Sequence, residues 1–337
     1  MKRKMKAVTM KHPGTPEVLE LRSVPLSWPS DEDHVLIRLK AASVNPADTY
    51  FRSLGPYVGD GIDCILGHDG AGVVEAVGPS VNRFRAGDEV CFCYGGIGAA
   101  PGTYAQFSVV PENLLVPKPP QISFLEAAAL PLVFITLWEA LHERAAVIRG
   151  EYVLIHAGAG GTGHIGVQVA KNLGGRVAAT VSTSQKAEFV SKLGAECPIL
   201  YREVDFVKIV RDWSRGHGMD VALDNLGAAI MQQTFRAMAP YGRVVTLMGT
   251  PADAEDMVAY NQNLSILNVM MLTPMWQGLA DRMTQQAEMV QKGMQWLSNR
   301  KIQVHISEVF NLEQAAEAHR MLEAGGMTGK IVLEINI

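Results

Sequence analysis

Six residues near the middle of the chain have the types and spacing for binding chemistry: Gly158-Ala159-Gly160-Gly161-Thr162-Gly163, a G-x-G-x-x-G pattern. Residues 152–156 before it form a short apolar run, and a helical stretch follows from about residue 164 to 173. In that setting the glycines have a specific use. Without Cβ atoms the backbone can turn tightly and come close to a pyrophosphate. The helix start adds free N–H groups and about half a unit of positive charge. A strand-to-helix turn with no ligand would use the same residues, but the flanking strand and helix favour a dinucleotide.

The second chemical question is which dinucleotide. A site for NAD(H) places Asp or Glu about 20 residues on, where it binds the ribose hydroxyls. Here the next strand runs out through Ala179-Thr180-Val181-Ser182-Thr183-Ser184-Gln185-Lys186, with no carboxylate. Small hydroxyls and Lys186 leave room and positive charge for a 2′-phosphate, so NADP(H) is expected. Ser182 to Ser184 also suit the cap of the following helix. Both roles are compatible, because a helix start attracts phosphate.

The elements around the turn must hold it. Further strands are expected at 176–181, 221–224 and 243–248, with helices at 185–193 and 228–238. Strands alternating with helices of about ten residues give βαβ units and a parallel, doubly wound sheet. The first 120 residues differ. Residues 34–42 alternate, with Val35, Ile37, Leu39 and Ala41 on one face and Leu36, Arg38 and Lys40 on the other. Similar short runs at 72–77, 89–94 and 104–109 suggest a small β-barrel or bent sheet. The proline-rich stretch 116–120 is a candidate boundary, since proline suits neither helix interior nor central strand. Towards the end, Met283, Ala287, Val290, Met294 and Leu297 mark an amphipathic helix whose methionine stripe reads as core. Asn311 and Gln314 look like a capping pair for a helix ending at Gly325-Gly326, and 331–337 reads as a closing strand.

Composition narrows the function classes. The chain has 337 residues, enough for about two domains. Hydrophobic residues make up 48% and charged residues 19%, which excludes a disordered chain. A net charge of -4 without a basic block argues against nucleic acid as a partner. The four cysteines, Cys64, Cys91, Cys93 and Cys197, are too few and irregular for a disulfide framework. The basic start lacks a following apolar segment, and no run reaches the roughly 18 residues that span a bilayer. A soluble cytoplasmic protein with no membrane partner is expected.

With these residues in hand, the segment 151–163 resembles the medium-chain dehydrogenase/reductase superfamily. Residues 45–53 (Asn-Pro-Ala-Asp-Thr-Tyr-Phe-Arg-Ser) look like its zinc-free quinone oxidoreductase, or zeta-crystallin-like, branch. Gly67-His68-Asp69-Gly70-Ala71-Gly72-Val73-Val74, Gly102-Thr103-Tyr104-Ala105 and Gly329-Lys330-Ile331-Val332 fit as well, so the likeness covers nearly the whole chain. The resemblance implies an α/β protein with a GroES-like β-barrel catalytic domain and a Rossmann doubly wound parallel-sheet domain inserted in it, the active site in the cleft. The expected division is 1–122 for the first part of the catalytic domain and 123–263 for the Rossmann domain. The remainder, 264–337, would supply a last Rossmann strand and the return.

The resemblance also addresses metal. Catalytic zinc needs three protein ligands and an open position. Zinc-dependent members carry a first Cys where this chain has Asn45, a His at His68, and a third ligand where Pro131-Leu132-Val133 stand. Cys91 and Cys93 are too few for the structural zinc lobe. No metal is expected: Cys64, His68 and Asp69 could form an unusual weak site, but the preferred reading has His68 and Asp69 as ordinary polar groups in a turn. Without a Lewis acid, hydride delivery to an electron-poor acceptor is the feasible chemistry: a quinone or an α,β-unsaturated carbonyl.

For catalysis the likeness implicates Tyr50 and Asn45 as donors to a developing enolate oxygen. Tyr50 could instead only shape the pocket, and Tyr57 is a second pocket-lining candidate. Asp48 and Arg52 read as structural. For NADPH, Thr136 would meet the nicotinamide end and Gly160, Gly161, Thr162 and Gly163 the pyrophosphate. Ser182, Lys186 and Tyr201 would face the 2′-phosphate, and Asn225 and Gly249 would line the channel. The alternatives are an enoyl-thioester reductase and a non-catalytic NADP(H)-binding sensor or structural protein. A homodimer is expected, because the apolar stretch 264–275 could extend the sheet edge.

Overall fold

The computed structural model describes residues 3–26, 32–55, 63–97, 100–249 and 257–336. The chain divides into two compact units. One comprises Met1–Phe134, Leu272–Arg300 and Ile306–Ile337, the other Ile135–Met271 and Lys301–His305.

The first unit begins with strands β1 (Lys4–Met10), β2 (Glu20–Pro25) and β3 (His34–Val44). Helix α1 (Pro46–Leu54) follows, then β4 (Cys64–Ile65), β5 (Asp69–Val77), β6 (Glu89–Cys93), β7 (Phe107–Pro111), β8 (Val116–Pro117) and α2 (Phe124–Ala129). Strands β2, β1 and β4 form a small antiparallel sheet. The long β3 is the spine of a second sheet, pairing antiparallel with β5 on one side and β7 on the other. Leu36, expected on the open face of β3, is as buried as Val35 and Ile37. Helix α2 packs on β3. The prolines at 116–120 do not end this unit. Val116 and Pro117 form a short edge strand on β6, where proline is tolerated, and the division falls at Phe134 rather than 122.

The second unit opens in α3 (Pro131–Leu137) and a π-helical turn, Trp138–Arg144, where His142 stacks on Trp138 at 4.2 Å. It continues with β9 (Tyr152–Ile155), α4 (Gly163–Asn172), β10 (Arg176–Val181), α5 (Ser184–Leu193), β11 (Cys197–Leu200) and α6 (Phe206–Trp213). Then come β12 (Met219–Asp224), α7 (Ala228–Ala237), β13 (Met238–Thr246), α8 (Met257–Asn261) and β14 (Ser265–Asn268). The sheet order is β11-β10-β9-β12-β13-β14, with every pairing parallel. This is the Rossmann order, which reverses between β9 and β12, and ligands of such sheets lie beyond the strand ends at that reversal. Leu154, Ala178, Ala222 and Val244 fill the sheet centre and pack with Phe206, Val210, Met231 and Phe235. Each large apolar side chain buried there contributes roughly 1.5–3 kcal/mol.

The chain then completes the first unit. In α9 (Thr273–Gln277) and α10 (Ala280–Ser298) the expected stripe faces inward: Val290, Met294 and Leu297 are buried, Met283 and Ala287 half-buried. Strand β15 (Ile306–Asn311) leads into a 3-10 turn, Leu312–Gln314, opened by the Asn311–Gln314 capping box, and then into α11 (Ala315–Ala324), which ends at Gly325, with φ 68°. Strand β16 (Lys330–Glu334) pairs with β15 and, antiparallel, with β3. Among the described residues no helix is long and apolar enough to cross a membrane.

Candidate functional site

The glycine turn links β9 to α4. Its first residue, Ala157, sits in the left-handed region at φ 48°, and its N–H donates to Thr180 Oγ1 at 3.2 Å. Gly158 N–H donates to Thr180 O at 2.9 Å and Gly160 N–H to Ala157 O at 2.9 Å. The glycines then separate into two kinds. A Cβ on Gly163 would stand 2.1 Å from Ala157 O, and one on Gly158 2.8 Å from Ala179 Cβ, so both are needed for packing. A Cβ on Gly160 would come no nearer than 3.3 Å to the protein, leaving that side open to an approaching group. Among the described residues, the N–H groups of Gly161, Thr162 and Gly163 have no backbone acceptor. They stand at the start of α4, where a pyrophosphate is favoured by both donors and dipole.

The loops at neighbouring strand ends supply the rest. After β12, Asn225 Nδ2 donates to His156 O at 2.8 Å, and its Oδ1 is buried with no partner among the described residues. Gly249, past the end of β13, has φ 79° and is exposed. Thr136 is buried in α3. Past β10, Thr183 caps α5 by accepting from Lys186 N–H, and Ser182 is half-buried. The Lys186 ammonium is held below its ordinary range, first by partial burial and then by the charge of Arg202. Arg202 lies 5.9 Å over the ring of the exposed Tyr201. Two cations and an aromatic face therefore gather where the sequence reading named only Lys186 and Tyr201. Arg202, next in sequence to Tyr201, was within reach of that reading. Free N–H groups, an open Gly160, an orphaned amide oxygen and this cationic pair all fit a nicotinamide dinucleotide.

In the first unit, Asn45 and Tyr50 sit on the same short helix, but their surroundings differ. Asn45 caps α1 and is 1% exposed, whereas Tyr50 is 59% exposed. Both ends of the Asn45 amide are engaged: Nδ2 donates to Asp69 Oδ2 at 2.9 Å, and Oδ1 accepts from Lys330 Nζ. Tyr57 lies outside the described residues. Asp48 accepts from Asn45 N–H at 2.7 Å, and Arg52 donates to Gly14 O and to both oxygens of Glu323, so these two have the structural roles expected.

Around Asn45 lies a buried polar network that the sequence did not reveal. Asp69 also accepts from Leu132 N–H at 2.8 Å. Burial pushes its carboxyl up to about 6, against the charge of Lys330 and the bond from Asn45. Burial likewise raises Asp48 and lowers Lys330. His68 Nδ1 donates to Gly95 O at 2.6 Å. Of these residues, Asn45 and His68 stand where zinc-dependent members carry ligands, and the third ligand position falls in the apolar run Pro131-Leu132-Val133. Asn45 is no zinc ligand, Asp69 spends both oxygens on protein donors, and burial pushes the Cys64 thiol up to about 12. Among the described residues no three His, Cys, Asp or Glu side chains are grouped to hold a metal ion. The donor set does not fit a catalytic zinc.

Two family models match the chain: the alcohol dehydrogenase GroES-like domain at residues 31–120 and the zinc-binding dehydrogenase at residues 193–333. A 2-haloacrylate reductase of Burkholderia sp is 33% identical over 310 residues, covering 89% of this chain and 90% of the relative. A quinone oxidoreductase of Pseudomonas aeruginosa is 33% identical over 324 residues, covering 95% and 96%. The structure of Escherichia coli quinone oxidoreductase complexed with NADPH superposes with a TM-score of 0.83 at 28% identity, covering 98% and 99%. Likeness of this extent, over both units and with a Rossmann strand order, makes the chain an oxidoreductase of the medium-chain dehydrogenase/reductase superfamily, in its zinc-free quinone oxidoreductase branch, with a nicotinamide cofactor.

Proposed function

We propose that this protein uses NADPH to reduce quinones or α,β-unsaturated carbonyl compounds without zinc. The observation that carries the reading is the Lys330–Asn45–Asp69 network: Asn45, where zinc-dependent members carry the first cysteine ligand, has both ends of its amide bonded to Asp69 and Lys330. An acceptor must then be electron-poor before it binds, as quinones and conjugated carbonyls are. The names of the relatives above fit this class of acceptor.

The preference for NADPH rests on Lys186 and Arg202 beside Tyr201, and on the missing carboxylate after β10. When bound, the nicotinamide supplies the hydride. Gly161, Thr162 and Gly163 hold the pyrophosphate through backbone N–H groups while Gly160 lets it approach, Ser182, Lys186 and Tyr201 face the 2′-phosphate, and Asn225, Gly249 and Thr136 line the path to the nicotinamide. The exposed Tyr50 hydroxyl donates a hydrogen bond, and a proton, to the substrate oxygen as charge develops. Asn45 supports this helix through its cap rather than through a free amide donor. The edge strand β14 offers its outer ladder to a second copy, giving a homodimer. Free thiols at all four cysteines suit a cytoplasmic setting.

Purified protein should consume NADPH steadily with a panel of quinones and enones. Binding without turnover across that panel would overturn the reading.

A further inference from the structure

The residue just before the glycine turn, His156, is 1% exposed and has hydrogen-bond partners at both ring nitrogens. Nε2 lies 2.9 Å from Thr234 Oγ1 and Nδ1 lies 3.2 Å from Thr180 Oγ1. The hydrogens can be followed. Thr234 Oγ1 donates to Ile230 O one turn back in α7, at 2.9 Å, so its oxygen must accept from the imidazole. That puts the ring hydrogen on Nε2 and leaves Nδ1 an acceptor for the Thr180 hydroxyl. With its hydrogen spent there, the Thr180 oxygen turns a lone pair to Ala157 N–H, while Thr180 O accepts from Gly158 N–H. One threonine thus grips the first two residues of the turn, and one histidine fixes that threonine's polarity. The His156 carbonyl meanwhile accepts from Asn225 Nδ2 and so aims the buried, unpartnered Asn225 Oδ1.

We propose that His156, as the neutral Nε2–H tautomer, is the positioning residue of the cofactor turn, acting through Thr180 on Ala157 and through its carbonyl on Asn225; this rests on the turn's being the cofactor's site. The left-handed Ala157 is a conformation alanine adopts only when its surroundings impose it. Phe206 faces the ring edge, at 5.1 Å between centroids, and burial, with no charged group contributing among the described residues, holds the imidazole down at about 4. The ring therefore stays neutral through the physiological range, as the hydrogen-bond chain requires.

Two measurements test this. Nitrogen-15 histidine spectra of the cofactor-free protein should show His156 as the Nε2–H tautomer. The Nδ1–H form or the imidazolium at neutral pH would overturn the proposal. Second, NADPH titrations should compare wild type with Thr180→Val, which keeps the shape and loses the hydroxyl, and Thr180→Ser, which restores it. Thr180→Val should weaken NADPH binding about 5- to 30-fold, the worth of one buried hydrogen bond. The loss should fall on KM for NADPH more than on kcat, and Thr180→Ser should recover most of it. Equal affinity in wild type and Thr180→Val, or no recovery by serine, would overturn the proposal. A wild type that binds no NADPH would instead refute the cofactor reading, and the spectra would still decide the tautomer.

Discussion

Lys330 and His156 are buried residues whose protonation states the fold dictates. Lys330 is 4% exposed and donates to Asn45 Oδ1 beside the buried Asp69 and Asp48. Replacing one member of a buried ion network leaves the others uncompensated, at a cost of about 3–5 kcal/mol. Lys330→Met should therefore lower the urea midpoint sharply, and adding Asp69→Asn should return part of the loss. An unchanged midpoint in Lys330→Met would mean that the network contributes no net stability. For His156 the pH dependence has a definite sign. Its native pKa, about 4, lies below that of an unfolded histidine near 6.5. As pH falls through that window the unfolded chain takes up a proton that the native chain refuses, so stability falls, by at most about 1.4 kcal/mol per pH unit. Burial and the charge of Arg52 hold His319 lower still, at about 3, and it acts in the same direction. Asp69, raised to about 6, binds its proton in the native state and offsets part of the loss. His156→Gln should show a shallower acid limb than wild type in unfolding measured from pH 7 down to 4.5. A parallel limb would contradict the assignment. Lys186→Ala and Arg202→Ala should each weaken NADPH binding by about 10-fold or more, the scale of a charge-assisted hydrogen bond, and leave NADH nearly unaffected.

At the scale of elements, the glycine turn divides into packing and approach. Gly163→Ala should cost several kcal/mol or prevent folding, because the new Cβ would meet Ala157 O at 2.1 Å. Gly160→Ala would set its Cβ 3.3 Å from Ala157 O, a crowding relieved by a shift of a few tenths of an ångström, so its melting temperature should fall far less than that of Gly163→Ala while NADPH binding weakens. Thermal melts alongside titrations separate the two, and a Gly160→Ala protein that binds NADPH normally would place the pyrophosphate elsewhere. This element was legible from sequence because a strand, a glycine pattern and a helix lie within twenty residues. Strand β11 and helix α6 were not foreseen. β11 is a four-residue edge strand that carries Pro198, and α6, only eight residues long, was passed over although Phe206, Val207, Ile209, Val210 and Trp213 form an apolar stripe at helical spacing. The network around Asn45 was illegible for another reason. Its members come from β3–α1, β5, α3 and β16, and no local pattern says which polar side chains of four distant segments will share one buried space.

At the scale of the whole molecule, two units with different sheets are built from one chain that leaves the first, completes the second and returns. Their fold classes could be read from rhythm alone: crowded short strands first, then strands alternating with helices. The boundary could not, because α2 and the start of α3 belong by contact to the first unit although their sequence looks like a beginning. The proposed dimer belongs to this scale. Light scattering at micromolar concentration should give twice the chain mass, and a monomer would refute pairing through β14.

The most direct test of metal-free, NADPH-driven reduction is to follow NADPH consumption with a quinone or an enone by protein dialysed against a strong chelator, with its zinc content measured in the same sample. The account predicts undiminished turnover at far less than one zinc per chain. Turnover that disappears with the metal and returns when zinc is added would contradict it.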